Sequence, residues 1–177
     1  RKIKNMKKLI LLVSLLSFSM HSQNVTVNSG SSFTIQSTSS LTVGGNFSTN
    51  GSGTVILNSD ATNYSSIIIS GSVSSGSNIT YNRYVNSVGT DEWDVIGSPV
   101  NEQSINSFAT TNAAPLATGG GSGSDQYAIG VYDNETDNWT NYTTSTIGTA
   151  GDFDIGKGYQ MATDIGATLA FTGTPVS

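Results

Sequence analysis

The feature that most constrains this fold is a run of short apolar alternations in a nearly uncharged stretch, residues 24–80. Apolar side chains recur there at every second position, which is typical of β-strands with one buried face. The clearest alternations are Val25/Val27, Phe33/Ile35, Leu41/Val43, Val55/Leu57, Ile67/Ile69 and Ile79/Tyr81. Ser, Thr, Asn and Gly make up about two-thirds of the stretch, and Asp60 is its only charged residue. The pattern therefore predicts many very short strands joined by tight turns.

An internal repeat at an offset of 26 residues indicates how these strands pair. Residues 40–48 align with residues 66–74, and Thr54-Val55 then aligns with Thr80-Tyr81. Units this short cannot bury an apolar face alone, whereas stacked units bury a continuous core. We therefore predict a Ser/Thr/Asn/Gly-rich, short parallel β-solenoid over residues 24–84. An irregular antiparallel meander is the alternative that the same alternation allows.

Residues 85–177 are richer in aromatic and acidic residues, and they predict an antiparallel β-sandwich-like region. One helical turn is expected around Ile105 and Phe108, and the glycines at 119–123 indicate a loop. The turn of a hairpin is expected at residues 133–138. Strands are expected at 92–97, 127–131, 139–143, 153–162 and 167–172. Because no terminal feature precedes Ser177, we expect this region to be truncated at its C-terminus.

Residues 1–23 have the layout of a bacterial secretory signal peptide with an upstream extension. An apolar run of about eleven residues follows Lys7 and Lys8, and it is shorter than the roughly 20 residues of a membrane-spanning helix. Cleavage is expected near Ser22/Gln23. We therefore expect an extracellular or outer-surface location and no membrane span in the mature chain.

Cleavage at that point changes the charge balance of the protein. The signal region holds five of the seven basic residues and the only histidine, whereas all 12 acidic residues follow it. The mature chain then has two basic residues against 12 acidic ones, a formal net charge of −10, and it lacks both Cys and His. This composition disfavours nucleic-acid binding, which needs clustered Lys and Arg. It also excludes Ser-His-Asp catalysis, thiolate catalysis and His/Cys zinc sites.

The remaining carboxylates form no defined catalytic pair. Glycoside hydrolysis needs only two carboxyl groups, but no spacing in this chain singles out two of them. The candidates are Asp91, Glu92, Asp94, Glu102, Asp133, Glu135, Asp137, Asp152 and Asp154. Residues 151–158 nearly match a phosphate-binding loop, but Gly158 replaces the required hydroxyl and an extended segment follows. We therefore predict no catalytic residues and no enzymatic activity within this fragment.

Two kinds of binding site remain as hypotheses. Asp133, Glu135 and Asp137 place acids at alternate positions, as calcium loops do, and oxygen ligands suit that ion. A plain acidic turn is the alternative, and we expect no cofactor other than this possible calcium. Trp93 and Trp139 are candidate glycan contacts that would stack on sugar rings, although large aromatic side chains in β-domains also fill cores.

The chain after the signal region resembles the N-terminal parts of large secreted or cell-surface proteins of Bacteroidota, of the flavobacterial type. The likeness is carried by the signal ending at Gln23 and by residues 40–47, 81–85, 93–100, 156–159 and 168–174. The resemblance implies export by the Sec machinery and then type IX secretion. It also implies a C-terminal sorting domain beyond Ser177, and it implies no catalytic residues.

Together, these features predict a non-enzymatic secreted or cell-surface segment with a structural or adhesion role, which presents downstream domains. An extracellular glycan or another cell-surface component is the expected partner. The alternative is a carbohydrate-binding module of a secreted polysaccharide-degrading enzyme.

Overall fold

The computed structural model describes residues 24–90, 93–119 and 125–177. Strand accounts for 50% of the structure and helix for 8%, so the predicted all-β class is confirmed. The predicted signal peptide, Asp91, Glu92 and residues 120–124 of the predicted glycine loop lie outside the described residues. Within those ranges, no helix is both long enough and apolar enough to span a membrane.

The described strands are short, and a single α-helix interrupts them. The strands are β1 (Val25–Val27), β2 (Ser32–Ile35), β3 (Ser40–Val43), β4 (Phe47–Thr49), β5 (Thr54–Asn58), β6 (Ser66–Ile69), β7 (Ile79–Val85), β8 (Asp94–Gly97), β9 (Val100–Asn101), β10 (Thr118–Gly119), β11 (Gln126–Asp133), β12 (Asn138–Thr143), β13 (Gly158–Met161) and β14 (Ala167–Pro175). The helix α1 spans Ile105–Thr111, where the sequence predicted a helical turn.

Residues 24–85, which we call the stacked region, form three sets of parallel strands. β1 pairs with β4, and β3 pairs with β6. β2 pairs with β5, which in turn pairs with β7. Apolar residues such as Val27, Ile35 and Val43 point inward from the first three strands and are buried. Each successive passage of the chain therefore adds its apolar residues to one continuous interior.

The register of these pairs corrects the single repeat offset predicted from the sequence. Ser40 pairs with Ser66 at the predicted offset of 26, but β1 and β2 pair with their neighbours at an offset of 22. Val55 pairs with Ile79 rather than with Tyr81, an offset of 24. The offset differs because the connections differ in length: those between β5 and β6 and between β6 and β7 are longer than the earlier ones. These offsets differ from the predicted one by an even number of residues, so the predicted apolar faces are kept.

Amide side chains form a ladder on the outer surface of the stacked region. Asn82 Nδ2 donates to Asn58 Oδ1 at 2.9 Å, and Asn58 Nδ2 donates to Gln36 Oε1 at 3.4 Å. A second ladder joins side chain to backbone, since Asn46 N–H donates to Asn24 Oδ1 and Ser72 N–H donates to Asn46 Oδ1. The abundance of Asn and Ser therefore has a structural cause, because several of these polar side chains bond to a counterpart one passage later.

Residues 86–177, the antiparallel region, contribute a five-stranded sheet in the order β10-β11-β13-β8, with β12 beside β11. The predicted hairpin is confirmed, because Tyr132 pairs with Trp139 and Asp133 pairs with Asn138. β13 begins only at Gly158, later than predicted, because residues 151–157 form turns around the buried Phe153. β14 extends three residues beyond the predicted end.

The two regions share a sheet. β14 pairs with β7 along seven residues, from Ala167 opposite Val85 to Gly173 opposite Ile79. The resulting sheet has the order β2-β5-β7-β14-β9 and spans the predicted domain boundary at residue 84. The division into residues 24–84 and 85–177 stays a prediction about domain organisation.

One hydrophobic core extends from Val27 to Phe171. Phe108 of α1 packs on Phe171 of β14 with ring centroids 4.5 Å apart, and Phe153 meets Phe108 edge to face at 5.2 Å. The helix begins at Ser104, whose hydroxyl accepts the Ser107 N–H. Buried Asn112 ends it and exchanges hydrogen bonds with the Ala170 backbone, so α1 is fixed against β14.

Candidate functional site

The outer face of the antiparallel sheet is the surface where candidate binding residues converge. Along β11, Ile129 points into the main core, so its neighbours Ala128 and Gly130, both buried, lie on the opposite face of the sheet. Tyr132 continues the row on this face. Strand pairing places Gln160 and Asn141 on either side of Gly130. This face therefore combines small residues, amides and aromatic rings.

A groove of about 300 Å³ opens at one end of this face. Its floor includes Ala117 and Ala128, and Trp93 packs against these alanines and against Ala162. The three alanines are fixed by a ring of backbone hydrogen bonds: Ala128 to Ala117 at 2.8 Å, Ala162 to Ala128 at 3.1 Å, and Ala117 to Ala162 at 3.2 Å. Small side chains at all three positions leave the half-buried indole beside an open space.

The pairing of β11 with β12 is irregular next to the groove. Their register shifts between Gln126, which pairs with Thr143, and Gly130, which pairs with Asn141. Residues 127–129 of β11 therefore lie opposite Tyr142 alone, and such irregularities bend a strand and redirect its side chains. Gln126 and Asn141 both line the groove.

A pair of amides lies directly beyond the groove. Gln160 Nε2 donates to Asn141 Oδ1 at 2.6 Å, which bridges β13 and β12 across β11. The bridge passes over Gly130, where a Cβ atom would collide with Asn141 Oδ1 and approach Gln160 Nε2 to 2.9 Å. Glycine at position 130 is therefore required for the amides to lie flat against the sheet.

An aromatic pair, exposed Tyr132 and half-buried Trp139, marks the far end of the same face. The rings of Tyr132 and Trp139 lie 5.2 Å apart at an interplanar angle of 66°. The Tyr132 hydroxyl donates to the Asp137 carboxylate, and this bond raises the pKa of Tyr132 above its ordinary value because it stabilises the protonated phenol. The carboxylate therefore holds the Tyr132 ring in place.

The two predicted glycan contacts lie on one face but not in one pocket. Trp93 lines the groove, whereas Trp139 belongs to the aromatic pair beyond the amides. Sequence reasoning missed Asn141, Gln160 and Gly130. The alternation around Gln160 could have revealed it, because Tyr159 and Met161 are buried and leave Gln160 facing out.

Two of the three predicted calcium ligands, Asp133 and Asp137, accept hydrogen bonds within their own hairpin. Asp133 accepts the Glu135 N–H at 2.9 Å and the Thr136 hydroxyl at 2.7 Å. The Thr136 hydroxyl and then the Glu135 N–H lower the pKa of Asp133. No group of three acidic or histidine side chains that could hold a metal occurs among residues 24–90, 93–119 and 125–177. Calcium binding stays a prediction, without a preformed ligand cluster.

Some of the candidate catalytic carboxylates have structural partners. Asp94 Oδ2 accepts the Asn86 N–H at 2.8 Å, and Asp154 pairs with Lys157 at 3.2 Å. The segment 151–158 leads into strand β13 rather than into a helix, as predicted. It therefore lacks the helix N-terminus that a phosphate-binding loop uses.

A second cavity of about 340 Å³ lies where the two regions meet. Its lining is mainly apolar and includes Leu57, Ile67 and Pro175. The buried Ser65 hydroxyl, which also lines it, has no hydrogen-bond partner among the described residues. Binding sites usually combine an apolar wall with several converging polar groups. The groove at Trp93 fits that description better.

Comparison with protein families, with curated proteins and with solved structures gives no match to this chain. The functional argument therefore rests on the geometry of the chain itself. The likeness to secreted proteins of Bacteroidota stays a prediction from sequence.

Proposed function

We propose that this protein is a non-enzymatic secreted or cell-surface segment with a structural or adhesive role. In this proposal the stacked region is a short β-solenoid, the antiparallel region is a sandwich-like partner, and together they present downstream domains away from the cell surface. Export by the Sec and type IX machinery belongs to the same proposal and rests on the sequence resemblance.

The observation that supports a structural role is the stacking of parallel strands with matching polar ladders. When repeated units stack and each contacts only its neighbours, the protein is elongated, and each further unit makes it longer. The outward side chains in residues 24–59 carry no charge and bond mainly along the stack, as the Gln36–Asn58–Asn82 ladder does. Such a surface suits a spacer better than a catalytic site.

Two measurements on the purified chain test this role. We expect a β-type circular dichroism spectrum and no turnover of glycoside, ester or peptide substrates. Measured hydrolysis that survives repurification would contradict the proposal. The gene sequence beyond Ser177 provides an independent test, because we expect a C-terminal sorting domain there.

A second candidate function, carbohydrate binding, is favoured by the groove at Trp93. An indole ring offers an apolar face to the C–H groups of a sugar ring, while its surroundings offer hydrogen bonds to hydroxyl groups. The groove supplies both, because the half-buried Trp93 lines it together with the Gln126 and Asn141 amides. Small-molecule binding sites are usually mostly apolar clefts that contain a small number of polar groups.

A glycan array tests this second function. We expect specific retention of a glycan by the purified chain and loss of retention in Trp93→Ala. Phe33→Ala is the matched control, because Phe33 is 47% exposed on the stacked region and outside the groove. Absence of any glycan signal, or equal retention by Trp93→Ala, would contradict a carbohydrate-binding role for the groove.

A further inference from the structure

We infer that the ligand of this face is an uncharged, extended glycan that lies along β11 from the Trp93 groove, over the amide pair, to Tyr132 and Trp139. This inference rests on the proposed carbohydrate-binding function and adds the class and the direction of the ligand. Three observations carry it: the alignment of the contacts, the free hydrogen-bonding groups of the amides, and the charge of the surface.

The contacts lie in a row along one strand. Ala128 in the groove floor, Gly130 beneath the amides and Tyr132 of the aromatic pair are successive residues on this face of β11. Residues along a strand are spaced about 3.3 Å apart, so the row from Ala128 to Tyr132 measures about 13 Å. A single sugar ring cannot contact both ends of this row. A chain of linked rings can.

The amide pair supplies hydrogen bonds at the middle of the row. The Asn141–Gln160 bond uses one acceptor and one donor, so the Asn141 Nδ2 donors and the Gln160 Oε1 acceptor have no other partner among the described residues. A sugar hydroxyl both donates and accepts, so it can bond to both amides at once. Gly130 adds no side chain that would lift the ligand away from them.

The charge of the surface selects against acidic glycans. The described residues that line the groove are all uncharged. The nearest charges at the far end are carboxylates, Asp133 and Asp137, which already accept hydrogen bonds from their own hairpin. Residues 24–177 also carry 12 acidic residues against Arg83 and Lys157. Such a field repels polyanions and leaves neutral glycans as the compatible class.

Affinity electrophoresis and calorimetry with the purified chain test this inference. The neutral probes are mannan, xylan and mixed-linkage β-glucan with their size-graded oligosaccharides, and the anionic probes are alginate and polygalacturonate. We expect retention by a neutral probe only, with affinity that rises with oligosaccharide length until the row is filled. Preferential retention by an anionic probe would overturn the inference.

The variants separate the two ends of the row. We expect Trp139→Ala to lower the affinity for the longest oligosaccharide by about tenfold and to leave the affinity for the shortest bound oligosaccharide unchanged. Trp93→Ala should lower the affinity for both. Trp139→Phe should restore part of the length dependence, which shows that Trp139→Ala has not acted by unfolding. Phe33→Ala is the control and should match the unaltered chain.

The outcomes distinguish this inference from the proposed function beneath it. Neutral glycan binding that depends on Trp93 but not on Trp139 or on ligand length would overturn the extended row and keep the carbohydrate-binding function. Absence of binding to every probe would overturn both. Affinity that rises with ligand length, and that Trp139→Ala weakens for long ligands alone, would support both the extended row and the carbohydrate-binding function.

Discussion

The stacked region and the antiparallel region achieve stability in different ways. In the stacked region the side chains of paired strands meet similar residues from the next passage of the chain, as in the Gln36–Asn58–Asn82 ladder. In the antiparallel region each contact is unique, as in the cluster of Phe108, Phe153 and Phe171. Repetition gives a regular surface, whereas unique packing permits the register shift beside the groove. The candidate site therefore lies in the antiparallel region.

The largest expected effect comes from the core that joins the two regions. Phe47 and Phe171 are fully buried in one hydrophobic cluster but belong to different regions. We expect Phe47→Ala and Phe171→Ala each to lower the free energy of unfolding by about 3–5 kcal/mol. Because the core is shared, each variant should lower the midpoint of one common transition in calorimetry. Two separate transitions, each sensitive to one variant, would show instead that the regions fold independently.

A smaller effect is expected where neighbouring passages of the stacked region approach most closely. A Cβ atom at Gly53 would collide with the Val27 carbonyl oxygen and lie 2.7 Å from that of Asn28. Overpacking of this kind costs about 1–3 kcal/mol, so Gly53→Ala should lower the denaturant midpoint. Gly89→Ala is the control, because a Cβ there meets nothing within 4 Å. Equal midpoints for the two variants would contradict the close stacking.

The amide ladder should contribute less, because it is partly exposed. Asn58→Ala removes a hydrogen bond on each side and leaves Asn82 and Gln36 without their partner in the ladder. We expect a loss of about 1 kcal/mol, measured by urea denaturation. Asn134→Ala in the exposed β11–β12 turn is the matched control and should change stability little. If the ladder does not contribute to stability, Asn58→Ala and Asn134→Ala will have the same free energy of unfolding.

The smallest predicted effect is a pH dependence in the antiparallel region. The Asp137 carboxylate raises the pKa of Tyr132, so the folded state holds this proton more tightly than the unfolded chain does. The associated stability is present below the unfolded pKa of tyrosine and is lost as pH rises through the higher folded value. In an absorbance titration, Asp137→Asn should bring the Tyr132 ionisation to lower pH. An unchanged titration curve would show that the hydrogen bond does not form in solution.

Local patterns in the sequence predicted most of the strands but only part of their pairing. The alternation at Leu41/Val43 and Ile67/Ile69 identified two strands and their correct partnership. The offset of 22 between Val25 and Phe47 was missed because connections of different length shift the register without changing the alternation. The pairing of β7 with β14 has no local signal at all, since it joins distant segments.

The candidate site was predictable in its aromatic residues and not in its amides. Trp93 and Trp139 were identified because large aromatic side chains are conspicuous in a Ser/Thr-rich chain. Asn141 and Gln160 look like ordinary surface residues, and only strand pairing brings them together over Gly130. The groove lies beside a register shift in β11, which no residue pattern indicates.

The central claim, that the chain stacks in parallel register, is tested most directly by engineered disulfides in this cysteine-free chain. Thr42 and Ile68 are exposed partners on β3 and β6, so Thr42→Cys/Ile68→Cys places two thiols at the Cα separation that a disulfide requires. Thr42→Cys/Ser66→Cys is the control, displaced by two residues along the strand. We predict rapid, near-complete oxidation of the first pair and slow oxidation of the control. Equal rates, or faster oxidation of the control, would contradict the parallel stack.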